Sequence, residues 1–152
     1  MKFSIIAVGR WKSGPEKKLF EHFATRLKPS IEIREVNVQR KCSIDDLKRK
    51  EAELLLAAVP VGASIVALDK IGVAVPSSAL AKKLGQWQDC GIRHIAWLIG
   101  GVNGHGTAVL EKANLTLSFG PQTWPHLLVR GMLAEQLFRA HSILIGHPYH
   151  RD

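Results

Sequence analysis

Apolar runs of four to seven residues alternate along the chain with stretches whose apolar positions repeat every three or four residues. Phe3 to Val8 is a short apolar run of the kind a buried strand makes. Ser13, Gly14 and Pro15 open a helix, with proline near its first position, where a missing N–H costs nothing. Leu19, Phe20, Phe23, Ala24 and Leu27 give that helix one apolar face, and Pro29 is expected to end it. Ile31 to Val38 carries β-branched residues and reads as a strand. Ser43, with Asp46 three residues later, is a capping-box start for a helix reaching about Ala58.

The second half repeats this alternation. Ser64 to Leu68 reads as a buried strand, Asp69 to Val75 as a loop, and Pro76 and Ser77 as the start of a helix ending near Gly91. Ile95 to Ile99 is a strand and Gly100 to Gly106 a glycine loop. Thr107 to Ala113 suits a short helix, Leu115 to Phe119 a fifth strand, and Leu127 to Ile145 the longest helix. Strand and helix alternate throughout, so the expected class is α/β with a mostly parallel sheet and helices on both faces. Residues 1–152 form one domain, with no repeat, linker or low-complexity segment. Ligands of such sheets bind beyond the carboxyl ends of the strands. The loops after Leu68, Ile99 and Phe119 lie at such ends.

Composition sharpens this picture in one respect. The formal net charge is +8, from 21 Lys and Arg against 13 Asp and Glu, which favours a polyanionic partner such as nucleic acid. Hydrophobic residues make up 46% and charged residues 22%, as in globular rather than disordered chains. Cys42 and Cys90 form no CxxC pattern and fit a reducing compartment. The apolar run at the start is too short for a signal peptide's core, and no stretch approaches a membrane span. A cytoplasmic protein with no membrane partner is the expectation.

Several chemistries are disfavoured by spacing. GGVNGHG is not GxGxxG and does not follow the first strand, so an ordinary dinucleotide fold is disfavoured. GxxxxGK[ST] and GxSxG do not occur. His141, His147 and His150 match no zinc spacing, and no metal is expected. His22, His94 and His105 read as surface or packing residues.

Three segments remain. In Phe119 to Pro125, Pro121 and Pro125 stiffen a loop that can present its remaining backbone groups to a ligand, with Trp124 as an aromatic wall or a core residue. On the long helix Arg130, Glu135 and Arg139 interrupt an apolar pattern. Glu135 and Arg139 share a face, either as a surface ion pair or as a buried pair that orients a substrate. The tail HPYHRD buries little and concentrates His147, Tyr149, His150 and Arg151, groups suited to proton transfer, stacking and phosphate binding.

These motifs occur together in order: LIGGxxG, then LSF followed by TWPH, then VRxxLxEQLxRA, then HPYHR. In this combination the whole chain resembles the RlmH family, small SPOUT-class methyltransferases that modify 23S rRNA. The resemblance implies a C-terminal deep trefoil knot, S-adenosylmethionine as cofactor, and a homodimer with each cofactor pocket beside the partner subunit. It also implies methylation of N3 of a pseudouridine in 23S rRNA of the assembled ribosome. The cofactor-binding positions that carry over are Leu68, Gly100, Phe119, Gly120, Pro121, Gln122, Thr123 and Trp124. They fall on the three strand-end loops already singled out. The expected catalytic group is Glu135 and Arg139 to orient the base, Tyr149 to stack on it, His150 as base or proton relay, and Arg151 for phosphate or the developing anion. Two rivals stand beside this reading. One is another SPOUT methyltransferase acting on tRNA or a ribose hydroxyl; the other is an RNA-binding module without catalysis.

Overall fold

The structure is a computed structural model and describes residues 1–38 and 42–150. Among the described residues five strands form one parallel sheet: β1 (Lys2–Val8), β2 (Glu32–Val36), β3 (Ser64–Val73), β4 (His94–Ile99) and β5 (Leu115–Leu117). Their spatial order is β2-β1-β4-β3-β5. Between them run α1 (Pro15–Ala24), α2 (Ile44–Ala57), α3 (Ser77–Asp89), α4 (Thr107–Lys112) and, at the end, α5 (His126–Leu144).

Strand periodicity sorts the core into two layers, because successive side chains point to opposite faces. Phe3, Ile5 and Ala7 of β1 join Ile95, Trp97 and Ile99 of β4 in a cluster with α1, α3 and α5. Ile6, Val8, Ala96 and Leu98 point the other way, onto Ala52 and Leu55 of α2 and Val109 of α4. Helices therefore cover both faces, and α5 is seated between α1 and α3 on the first. Gly131 allows that close seating, since a Cβ there would lie 2.8 Å from Leu19 Cδ2.

Local signals act where they were read. Pro15 occupies the start of α1 behind Gly14. The Ser43 hydroxyl accepts the Asp46 backbone N–H at 3.2 Å, capping α2. Ser43→Ala leaves that N–H without its acceptor and is expected to lower stability by about 1 kcal/mol; a urea titration of both proteins reads this directly.

Several boundaries differ from the expected ones, three of them with a local cause. α1 ends at Ala24, well before Pro29, because the Ala24 carbonyl accepts the Ile31 N–H as the chain turns into β2. β5 stops at Leu117, where the Ser118 hydroxyl accepts the Gly120 N–H and turns the chain. The largest correction concerns Asp69 to Val75, expected as a loop. β3 continues to Val73, with a break in register: Leu68 and Val73 both pair with Leu117. The intervening residues bow out of the ladder, as in a large β-bulge. Gly72 permits the return, since a Cβ there would meet the Thr116 and Leu117 backbone at 2.7 Å.

Candidate cofactor cleft and tail cluster

The helices α3 and α4 leave the sheet on opposite faces. A crevice therefore opens at the carboxyl ends of β3, β4 and β5, where such sheets bind ligands. Here it is a cleft of ≈ 740 Å³, within the size range of sites for small organic ligands.

Its first wall is the bulge of β3, Leu68 to Ile71. The Asp69 carboxylate accepts the Ile71 N–H at 3.2 Å and lies 3.5 Å from the His105 N–H, so it spans two walls. The second wall is the glycine loop. Gly101 and Gly104 form an isolated antiparallel bridge, and the Gly104 N–H donates to the Gly101 carbonyl at 3.0 Å. Gly104 has φ +75°, a conformation glycine adopts without strain. A Cβ on Gly100 would come within 3.1 Å of the Gly104 backbone, a tight contact that glycine avoids.

The third wall runs from Ser118 to His126. Trp124 is 40% exposed and lines the cleft, its indole N–H donating to the Phe119 carbonyl at 3.3 Å. It is thus the aromatic wall rather than a core residue. Leu68, Gly100, Phe119, Gly120, Gln122, Thr123 and Trp124 all line the cleft. Pro121 does not; it is exposed outside the lining, and its ring nitrogen has no proton to offer a ligand.

Asp69, His105 and His126 are among the titratable cleft residues to which the sequence pattern assigns no role. Asp69 opens the loop after Leu68, one of the three singled out, but has no role assigned there. His105 is buried, with Nε2 3.2 Å from the Leu98 carbonyl; that geometry puts the proton on Nε2 and leaves Nδ1 without a partner among the described residues. Burial lowers its pKa, so the ring is neutral. His126 begins α5 and lines the cleft. Burial first, and the Arg130 charge second, lower its pKa as well. In the sequence it closes the TWPH motif, just before the expected start of the long helix, with no role assigned to it.

The expected catalytic residues assemble elsewhere. The Tyr149 hydroxyl donates to Glu135 Oε1 at 3.0 Å, and Arg139 Nε donates to the same oxygen at 2.8 Å. Gln136 donates to the other oxygen at 2.7 Å and itself accepts the Ser77 hydroxyl. The Glu135 and Arg139 side chains are 18% and 26% exposed, so the pair is half-buried, between the two readings. His150 Nδ1 lies 3.5 Å from Arg139 Nη1, a contact in which only the imidazole can accept. The Tyr149 ring, expected to stack on a nucleotide, lies 4.8 Å from Phe138 and is approached by Arg139 and Arg26. Burial and the Glu135 carboxylate raise its pKa, so the hydroxyl acts as a donor. Arg151 lies outside the described residues.

None of these four described residues lines the cleft. Glu135 is nine residues along α5 from His126, about 13 Å at a helix's rise and half a rotation away. Cleft and tail cluster are therefore separate sites within one protomer. Among the described residues no group of three or more His, Cys, Asp or Glu could hold a metal ion, and no helix is long and apolar enough to cross a membrane.

A family model described as "Predicted SPOUT methyltransferase" matches residues 1–150. A protein of Paramagnetospirillum magneticum is 54% identical over 99% of both chains, and one of Rhodospirillum centenum is 50% identical over 99% of both. One of Rhodospirillum rubrum is 48% identical over the full length of both. All three are named ribosomal RNA large subunit methyltransferase H. With the model matched along nearly its whole length, this chain belongs to the SPOUT methyltransferase family.

Proposed function

We propose that the protein transfers the methyl group of S-adenosylmethionine to N3 of a pseudouridine in 23S rRNA of the assembled ribosome, working in the cytoplasm as a homodimer. The observation that carries this reading is the cleft of ≈ 740 Å³ formed by three strand-end loops in a SPOUT chain. The residues fit the cofactor. Leu68, Gly100, Phe119, Gly120, Gln122, Thr123 and Trp124 supply close-approaching backbone and an aromatic wall, beside a glycine loop that a Cβ at Gly101 would obstruct. The C-terminal segment that completes the cleft is read as the trefoil knot of the family.

When bound, S-adenosylmethionine supplies a methyl group already activated by its sulfonium. The protein's share is to hold donor and acceptor in line and to take the N3 proton. His126 is held neutral at the cleft and can accept a proton there; His150 is the tail's candidate for the same task. Glu135, gripped by Tyr149, Arg139 and Gln136, is held rigidly enough to orient a base. Because that cluster is remote from its own protomer's cleft, the reading assigns it to the cleft of a partner copy. This is why a dimer is required and not incidental. The excess of 21 basic over 13 acidic residues serves phosphate binding, which weakens as salt rises.

Transfer of labelled methyl from S-adenosylmethionine to ribosomes lacking the modification tests the proposal, with mass spectrometry to place the label. Label on a single 23S pseudouridine is the expected result. Label on tRNA instead would keep the enzyme class and reject the substrate. Absence of both transfer and cofactor binding would leave an RNA-binding module as the better account.

A further inference from the structure

Behind the glycine loop sits a carboxyl that the proposed chemistry does not use. Glu51, on α2, is only 7% exposed. Its Oε2 is buried and has no hydrogen-bond partner among the described residues. A Cβ placed on Gly101 would stand 2.9 Å from both carboxylate oxygens, so the carboxyl lies against the backbone of a cleft-lining loop. α2 backs that segment at a second point, where a Cβ on Gly106 would lie 2.9 Å from the Lys48 carbonyl. The Lys48 residue itself lines the cleft.

Burying an unpaired carboxyl is costly, and a neutral side chain of the same shape would cost less. Packing does not require the charge: Ala52 and Leu55 already join α2 to the sheet. Burial raises the Glu51 pKa, the mark of a group whose solvation is not replaced. The cost is offset only in a state where the carboxylate finds donors, and the adjacent backbone is the glycine loop.

We propose that Glu51 is a positioning residue for the cofactor: it props the loop at Gly101 and accepts backbone N–H groups of that loop as it closes on S-adenosylmethionine. The inference rests on reading the cleft as the S-adenosylmethionine site. Glu51 does not touch the methyl group or the RNA; it sets the shape of the wall that does the binding.

Calorimetric titration with S-adenosylmethionine, paired with thermal unfolding of the ligand-free proteins, separates this from a packing role. Glu51→Gln keeps the shape and removes the strong acceptor, so Kd is expected to rise roughly tenfold, the effect of one charge-assisted hydrogen bond. The melting temperature should hold or increase, because a neutral amide is cheaper to bury. Gly101→Ala pushes the carboxylate off the loop and should weaken binding to a similar extent. The double variant should lose no more than either single one, since both act through one contact. A Glu51→Gln protein that binds within about twofold of wild type overturns the proposal, whatever its melting temperature. Wild type that fails to bind S-adenosylmethionine overturns the cofactor reading and this inference with it.

Discussion

Removal of residues 149–152 is expected to abolish methyl transfer while cofactor affinity stays within about threefold of wild type, a difference below 1 kcal/mol. The two halves of that result have separate causes. Cofactor binding survives because neither Tyr149 nor His150 lines the cleft, and the three walls are built from β3, β4 and β5 ends. Transfer is lost because Glu135 loses the Tyr149 hydroxyl and Arg139 loses its contact with His150. Some stability goes too, since the Tyr149 ring packs against Phe138 and Phe23. Tyr149→Phe separates the effects: it keeps the ring and removes only the hydroxyl, so transfer should fall with little change in melting temperature. Titration with S-adenosylmethionine and a ribosome methylation assay on the same preparations check both. Loss of cofactor binding on truncation would place the tail in its own protomer's cleft and remove the argument for a partner copy.

How much of this was legible beforehand depends on how local each feature is. β1 and β4 were legible as short apolar runs, while the sorting of Ile5 and Ile6 onto opposite faces came with the sheet. The Ser43 cap and the proline start of α1 are contacts within a few residues, and both stand as read. The three loops that wall the cleft followed from strand ends alone. Contacts across long separations were not legible. His105 approaches Asp69 from 36 residues away, and Glu51 meets Gly101 only because α2 crosses behind the glycine loop. The bulge after Leu68 was read as loop because Lys70 and Gly72 break the apolar run; Gly72 in fact lets β3 rejoin β5. Arg130, Glu135 and Arg139 were visible as interruptions of an apolar helix. Nothing local distinguished the first, which is buried by the fold, from the other two.

Arg130→Ala is expected to cost about 3–5 kcal/mol, the usual penalty for breaking a buried ion pair from one side. Arg130 is fully buried on α5. One Nη donates to Glu35 at 2.8 Å; the other donates to the Val8 and Gly9 carbonyls at 2.9 and 3.0 Å. Its guanidinium also lies 4.6 Å from the Trp11 ring. One side chain thus fastens the start of α5 to the ends of β1 and β2 and to the loop after β1. Alanine removes every one of these donors, taking one from each of two carbonyls and leaving the Glu35 carboxylate with the Trp11 N–H alone. For a chain of 152 residues the loss corresponds to a melting point lower by roughly 10 °C. Arg130→Met with Glu35→Gln removes both charges and refills the space, so it should recover part of the loss. A second consequence reaches the cleft. Arg130 is one of the two causes that lower the His126 pKa, burial being the larger. Without the guanidinium, His126 should titrate closer to the ordinary histidine value, measurable by NMR on the double variant, which keeps the fold. Binding at the cleft then becomes sensitive to pH in a range where the wild-type imidazole is already neutral. An unmoved His126 titration would show that burial alone holds the ring neutral, and that the anchor stabilises the fold without tuning the site.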